Sequence, residues 1–322
     1  MSFEPEATAA IAGLRSLDTG GKAVHLAIGM FDGVHRGHRR VIEAAVADAR
    51  KDNGLACVLT FDPHPSRLFR PDDPTLLISP LPLKLELIRA LGVDHCIVQP
   101  FDAAFARISA SDFAAYLREA LPTLRALYVG DNFRFGARRA GDVSLLADSG
   151  RALGLEVTGA PRLQEGGEPI SSTRIRGLLT AGRIQEANTL LGYTYHARGE
   201  VIAGKRLGRT LGFPTLNLPW SSELRPRFGV YAVYLTTPGS SAWSHGVANY
   251  GMRPTVDGAG PPLLETHLLE DTRLGTGDTI RVEWLNFIRP EQAFDSVEAL
   301  KAQIAQDVDA ARTYFAAQAA RN

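Results

Sequence analysis

Up to about Gly192 the sequence alternates between short apolar runs and amphipathic helical stretches. Beyond it, apolar runs follow one another with only glycine and proline between them. In the first part "AVHLAIGMF", "GLACVLTF" and "VDHCIVQPF" read as strands. Between the first two lies "HRRVIEAAVADARK", with Val41, Ile42, Ala45 and Val46 on one helical stripe. "LPLKLELIRALG" reads as a helix closing on Gly92, and "SASDFAAYLREALP" as a capped one. Parallel neighbours need such crossovers, so this half is predicted to be a parallel sheet with helices on both faces. "SSTRIRGLLTAGRIQEANTLLG" continues as two helical segments. The second part, with "RFGVYAVYLTT", "SHGVANYG", "LLETHLLE" and "DTIRVEWLNFIRP", predicts an antiparallel β-barrel or sandwich. "SVEALKAQIAQDVDAARTYFAA" closes the chain as a helix. Two domains follow, 1–190 and 191–322, which agrees with a length of 322 residues.

Composition excludes several classes. The 35 basic and 35 acidic residues cancel, so no electrostatic footprint for nucleic acid is expected. No run is long and apolar enough to span a bilayer. The first residues, "MSFEPEATAAIAG", are acidic where a secretory signal is basic, so a cytoplasmic protein with no membrane partner is expected. Cys57 and Cys96 sit in apolar runs and read as buried thiols.

One strand-to-helix junction carries chemistry. In "AIGMFDGVHRGHRRVI", Gly33 and Gly37 permit a tight turn, and His35 and His38 share a face of the first helical turn. Such a junction presents free N–H groups to an anion, and both histidines can donate to one phosphate. The same pattern fits a surface helix start or half of a metal site whose third ligand has no evident position.

The second part has its own glycine-rich stretch. "GEVIAGKR" has the outline of a Walker A loop, but Arg206 stands where a magnesium-binding Ser or Thr belongs. The longer unit "GKRLGRTLGFPTLN" fits better. Gly204, Gly208 and Gly212, with Lys205, make a loop able to wrap polyphosphate. Thr215 and Asn217, two apart, point to one side of an extended segment and offer hard oxygens suited to Mg²⁺. A polar turn after a strand would look the same.

"FDGVHRGH" resembles the HxGH signature of the nucleotidylyltransferase superfamily. With "LTFDPHPSRLF", "VGDNFRFGARRAGD" and "ISSTRIRGLL" in order, the chain is similar to the prokaryotic bifunctional riboflavin kinase/FAD synthetase family over nearly its whole length after Ala23. The resemblance implies a Rossmann-like nucleotidylyltransferase domain joined to a β-barrel riboflavin kinase domain with a closing helix. It implies ATP as co-substrate with Mg²⁺, riboflavin phosphorylated to FMN, and FMN adenylylated to FAD with release of pyrophosphate.

Carried onto this sequence, the resemblance gives His35 and His38 the transferring phosphate, Ser172 and Thr173 a helix cap facing the phosphates, and Arg176 the pyrophosphate. Gly29, Phe31, Asp32, Gly33 and Gly37 become the nucleotide turn, and Asp62 and Asn132 contacts to FMN or phosphate. Phe61 and Phe133 read equally as core or as flavin platforms. In the second domain, "GVANYGMRPTV" and "LLETHLLE" give Asn249 and Arg253 to ligand binding, Arg253 in a flap. Glu265 becomes the base that takes the proton from the riboflavin hydroxyl, and apolar Leu264 and Leu268 predict a partly buried position for it.

Two places depart from the family pattern. Leu216 replaces a usual alanine between Thr215 and Asn217, which changes volume behind the site and not the ligands. The loop Thr272 to Asp278 lacks the family's usual tyrosine turn. A narrower expectation is therefore an FMN adenylyltransferase whose kinase domain is degenerate. A non-enzymatic flavin- or RNA-binding protein is a third, against which the intact catalytic residue types count.

Overall fold

The computed structural model of the chain describes residues 10–204, 207–220, 222–255 and 258–320, with the side chains of residues 207, 253–255 and 258–261 outside the description. Contacts divide the chain after Ser172 into two compact units.

The first unit is the predicted parallel sheet. Its strands are β1 (Ile11–Ala12), β2 (Val24–Ile28), β3 (Leu55–Asp62), β4 (His95–Pro100), β5 (Leu124–Gly130) and β6 (Glu156–Ala160), in the order β1-β4-β3-β2-β5-β6. All pairings are parallel. Every residue of β2 is buried, as expected of a central strand covered on both faces. The helices are α1 (Arg36–Lys51), α2 (Pro65–Phe69), α3 (Leu81–Arg89), α4 (Phe113–Ala120) and α5 (Val143–Ala152). One face packs Val41, Ile42 and Ala45 of α1 and Ile88 of α3 against Ala27, Val58 and Ala126. The other packs Phe113 and Leu117 of α4 and Leu146 of α5 against Leu26, Leu59 and Leu127.

β2 hydrogen-bonds β3 on one side and β5 on the other, so the strand order reverses at its carboxyl end. The β2–α1 junction, which carries both histidines, lies at this switch point, where open α/β sheets bind ligands. β1 has only two residues and is not visible in the sequence pattern. A small antiparallel hairpin, β7 (Gln164–Glu165) and β8 (Glu168–Pro169), closes this unit.

The second unit opens with α6 (Ser172–Thr180, its first residue belonging to the first unit) and α7 (Ile184–Leu191). α7 ends on Gly192 in the left-handed conformation (φ 74°), the usual residue for that cap. Six antiparallel strands follow: β9 (His196–Glu200), β10 (Leu216–Pro219), β11 (Gly229–Thr236), β12 (Ser244–Thr255), β13 (Gly258–Leu268) and β14 (Thr279–Pro290), ordered β10-β13-β12-β11-β14-β9. Just past β9, the Ile202 N–H donates to the Asn217 carbonyl of β10 (2.9 Å), so the two edges meet and the barrel is nearly closed. Tyr195, Tyr231, Tyr250 and Trp284 fill the interior. The closing helix α9 (Val297–Ala319) lays Val308, Ala311 and Phe315 against Val230, Ala232 and Val247 on the outer face.

The glycine-rich stretch is not all loop. Leu207–Leu211 forms one helical turn, α8, which stops where Gly212 turns left-handed (φ 90°) and the Phe213 N–H reaches back to the Gly208 carbonyl (2.7 Å). No described helix is long and apolar enough to cross a membrane.

Candidate active sites

The first site is built on the turn between β2 and α1. Phe31, Gly33 and Val34 all have positive φ (49°, 77° and 37°), so the backbone coils tightly here. Only Gly33 is free of the usual Cβ penalty, and a Cβ there would lie 3.0 Å from Ile78. His35 caps α1, its Nδ1 accepting from the His38 N–H (3.2 Å). The His35 and His38 rings stack, centroids 3.5 Å apart and 17° from parallel. Gly37 makes room for this stack, since a Cβ would sit 3.2 Å from the His35 ring.

The Phe31 ring is buried and meets His38 edge-on (5.4 Å, 87°), while a Cβ on Gly29 would press on it at 3.0 Å. The Asp32 carboxylate is also turned inward, accepting from the Ile78 N–H (2.9 Å) and the Ser79 N–H (3.4 Å). These two side chains build the turn from within, and what they leave outward is backbone. Ser172 was expected to cap its own helix. It instead stands at the first position of α6, and its hydroxyl donates to the Asp32 carbonyl (2.9 Å). Thr173 and Arg176 follow on α6, with Arg176 one turn on from Ser172 and so on the same face.

Lys84 of α3 is the residue that the sequence pattern hides. It falls within an apolar helical run and reads as a solvated lysine, yet it is 2% exposed. Its ammonium donates to Thr60 Oγ1 (3.1 Å) and the Met30 carbonyl (3.4 Å), and the Thr60 hydroxyl also donates to that carbonyl (3.1 Å). Burial pushes the Lys84 pKa below the ordinary lysine value, against the opposing pull of Asp32 and Asp62.

Asp62 ends β3 and is exposed. Phe61 is buried among Phe101 and Phe105, a core position, and Phe133 is half-buried and stacked on Phe135 (5.5 Å). Asn132 lines an open pocket of about 550 Å³ with Asp131 and three arginines, Arg134, Arg139 and Arg162. Arg162 pairs with Asp131 (3.2 Å) and Arg134 with Asp142 (3.1 Å). The arginines carry no signal in sequence beyond their proximity to "GDNFRFG". The cysteines offer no nucleophile. Burial pushes the Cys57 thiol up to about 12 and the Cys96 thiol up to about 11.

The second site lies on the outer face of the barrel. Strand register sets Asn217 of β10 opposite Glu265 of β13, Glu265 opposite Asn249 of β12, Asn249 opposite Val230 of β11, and Val230 opposite Arg289 of β14. One lateral row thus crosses five strands, and all five residues line a cavity of about 430 Å³ bounded by Leu300, Ile304 and Asp307 of α9. At its far end Arg289 forks onto Asp307 with Nε and Nη2 (2.8 and 2.7 Å).

Thr215 also faces this cavity. The loop glycines explain how the chain closes over the row. A Cβ on Gly204 would lie 2.4 Å from the Asn217 amide, and one on Gly208 would lie 2.3 Å from the Phe213 carbonyl and 3.4 Å from Thr215 Oγ1. The two hard-oxygen side chains therefore sit in a cradle that only glycine leaves open, which fits a small cation taking its remaining ligands from phosphate. Leu216 is buried on the opposite side of the strand, as alternation requires.

Glu265 differs from expectation. Leu264 and Leu268 are buried in the barrel, but Glu265 alternates with them and is exposed at the cavity. Lys205 lies outside the described residues, as does the side chain of Arg253. Gly212 sits at the end of α8 as described above. The departing loop turns on Gly275–Asp278, where the Gly275 N–H meets the Asp278 carboxylate (2.8 Å) and the Gly277 N–H meets the Val201 carbonyl (2.9 Å). None of its residues lines the cavity.

Residues 19–174 match the FAD synthetase family model and residues 191–315 the riboflavin kinase model. The chain is 41% identical over 290 residues to the bifunctional riboflavin kinase/FMN adenylyltransferase of Escherichia coli K12, covering 90% of this chain and 92% of the relative. It is 35% identical over 318 residues to that of Pseudomonas fluorescens, covering 97% and 99%. Its fold is similar to a crystal structure from Streptococcus pneumoniae described as a macrolide-efflux protein, with a TM-score of 0.83, 28% identity, and coverage of 94% and 98%.

Proposed function

The chain belongs to the bifunctional riboflavin kinase/FMN adenylyltransferase family, and we propose from its geometry which residues perform each half of that chemistry. The enzyme phosphorylates riboflavin to FMN and then adenylylates FMN to FAD, using ATP in both steps. We assign FMN adenylylation to residues 1–190 and phosphorylation to 191–322, counting α6 and α7 with the first activity although contacts group them with the barrel.

In the barrel, the row Asn217–Glu265–Asn249 is the observation that carries the assignment. Residues 48 positions apart in sequence become neighbours, and the central one is a carboxylate open to the cavity. Glu265 takes the proton from the 5′-hydroxyl of riboflavin as that oxygen attacks the γ-phosphorus of ATP. Thr215 and Asn217 hold Mg²⁺, which when bound neutralises charge on the polyphosphate. Gly204, Lys205, Gly208 and Gly212 belong to the phosphate loop, and Asn249 and Arg253 to the ligand wall and flap.

For the activity assigned to residues 1–190, the phosphate of FMN attacks the α-phosphorus of ATP and pyrophosphate leaves. His35 and His38 donate to the charge that develops on the transferring phosphate, and Arg176 takes the pyrophosphate. Gly29, Gly33 and Gly37, with the backbone of Phe31 and Asp32, shape the turn. The pocket holding Asn132, with Asp62 at the end of β3, receives FMN, its arginines suited to a dianionic phosphate. The protein works in the cytoplasm, without nucleic-acid or membrane partners.

The reading in which the kinase half is degenerate loses its motive, because the altered loop lies off the cavity. The test is the product profile from riboflavin, ATP and Mg²⁺, followed by chromatography. FMN appearing first and FAD second is expected. FAD formed from supplied FMN, with no FMN formed from riboflavin, would overturn the assignment of the barrel site.

A further inference from the structure

The turn bearing the histidines and the start of α3 hold each other by two reciprocal links, one of them made to two N–H groups. Asp32 of the turn reaches out with its carboxylate to the backbone N–H groups of Ile78 and Ser79, just before α3. Lys84 of α3 reaches back with its ammonium to the backbone carbonyl of Met30, just before the turn. Thr60, near the end of β3, completes the second link. It accepts from Lys84 and donates to Met30. Each partner is a side chain on one segment and a main-chain group on the other, so the two segments cannot shift independently.

The choice of a lysine is informative. Leu85 and Ile88 of the same helix belong to the apolar core, and an apolar residue in place of Lys84 would desolvate no charge. The ammonium instead spends its burial on the last carbonyl after β2, at the switch point of the sheet. It is almost wholly shielded from solvent.

We propose that Lys84 is a positioning residue for adenylyl transfer: with Thr60 it fixes the Met30–His35 turn and thereby the alignment of His35 and His38 with the transferring phosphate. The inference rests on the reading above that these histidines serve that phosphate. A turn released by a fraction of an ångström should cost alignment in the transition state more than binding in the ground state.

The experiment uses the full chain and compares Lys84→Met, Thr60→Val and His38→Ala, with FAD and pyrophosphate formation from FMN and ATP as readout. For Lys84→Met, kcat should fall about 10–100-fold while KM for ATP and FMN stays within about threefold. Thr60→Val, close in size, removes the hydroxyl that links Lys84 to Met30 and should show the same pattern at smaller size, and it decides the matter if Lys84→Met fails to fold. Riboflavin phosphorylation in the same preparations should be unchanged. The inference is overturned if kcat stays within about twofold in the folded variants, or if KM rises with kcat intact. If His38→Ala itself leaves FAD formation intact, the reading of the turn fails instead.

Discussion

His35 and His38 lie ring to ring, their centroids 3.5 Å apart, and His38 is further held edge-on by Phe31. Two donors that would each be loose on a surface helix are thereby fixed as a unit. His38→Ala is expected to lower FAD formation from FMN by on the order of 10²–10³. Riboflavin phosphorylation should be spared, because its residues lie in the barrel. Loss of both activities in a folded protein would sink the two-site assignment.

Gly37→Ala tests the stack without deleting a donor. The new Cβ would lie 3.2 Å from the His35 ring, tighter than an ordinary contact, so the ring must yield or the helix start must shift. FAD formation should fall by about tenfold, a smaller loss than for the histidine itself. An unchanged rate would show that the stacked geometry is not the reactive one.

The sequence made the two histidines legible because they lie three residues apart on one turn. Asn217 is legible with Thr215 from their spacing, whereas Glu265 and Asn249 are legible only through resemblance, since strand register alone brings the three together. Lys84 was not legible at all: one lysine in "LPLKLELI" matches a solvent-facing slot of an amphipathic helix, and only the fold shows Met30 and Thr60 waiting beneath it. The leucines flanking Glu265 suggest a partly buried position, whereas alternation on a strand sends neighbours to opposite faces. The five-residue α8 is not legible in the sequence because Gly208 within it and Gly212 after it read as loop.

Glu265→Gln keeps size and a hydrogen-bond acceptor but cannot take a proton at neutral pH. Phosphorylation of riboflavin should fall by roughly 10²–10⁴, nearer the low end because phosphoryl transfer has a loose transition state. Two progress curves, one begun with riboflavin and one with FMN, make the check. FMN should still become FAD at the parent rate. Phosphorylation within about twofold of the parent would remove Glu265 from the role of base.

Gly204→Ala probes the cradle around Asn217. Its Cβ would meet the Asn217 amide at 2.4 Å, so the amide must swing away from the place assigned to Mg²⁺. A rise of roughly tenfold in the Mg²⁺ concentration needed for half-maximal phosphorylation is expected, about 1.4 kcal/mol of lost binding. An unaltered Mg²⁺ dependence would place the cation elsewhere.

The barrel should weaken in mild acid through His196. This side chain is 1% exposed on β9, donates from Nδ1 to the Thr194 carbonyl (2.9 Å), and lies beside Arg281. Burial first, and then the charge of Arg281, push its pKa down to about 3. The folded barrel therefore holds His196 neutral, while the unfolded chain takes up a proton near the ordinary value of about 6.5. Stability is full above that pH and declines as the pH falls from about 6.5 toward 3, by about 2 kcal/mol at pH 5. Glu283, on the paired strand, acts in the opposite sense because burial raises its pKa. The contribution of His196 is thus read as a difference between parent and His196→Gln. All three tryptophans, Trp220, Trp243 and Trp284, lie in the barrel half, so urea unfolding followed by tryptophan fluorescence reports that half alone. Parent and variant should differ less at pH 5 than at pH 7.5. A difference that does not change with pH would mean that His196 takes up its proton as readily in the folded barrel as in the unfolded chain.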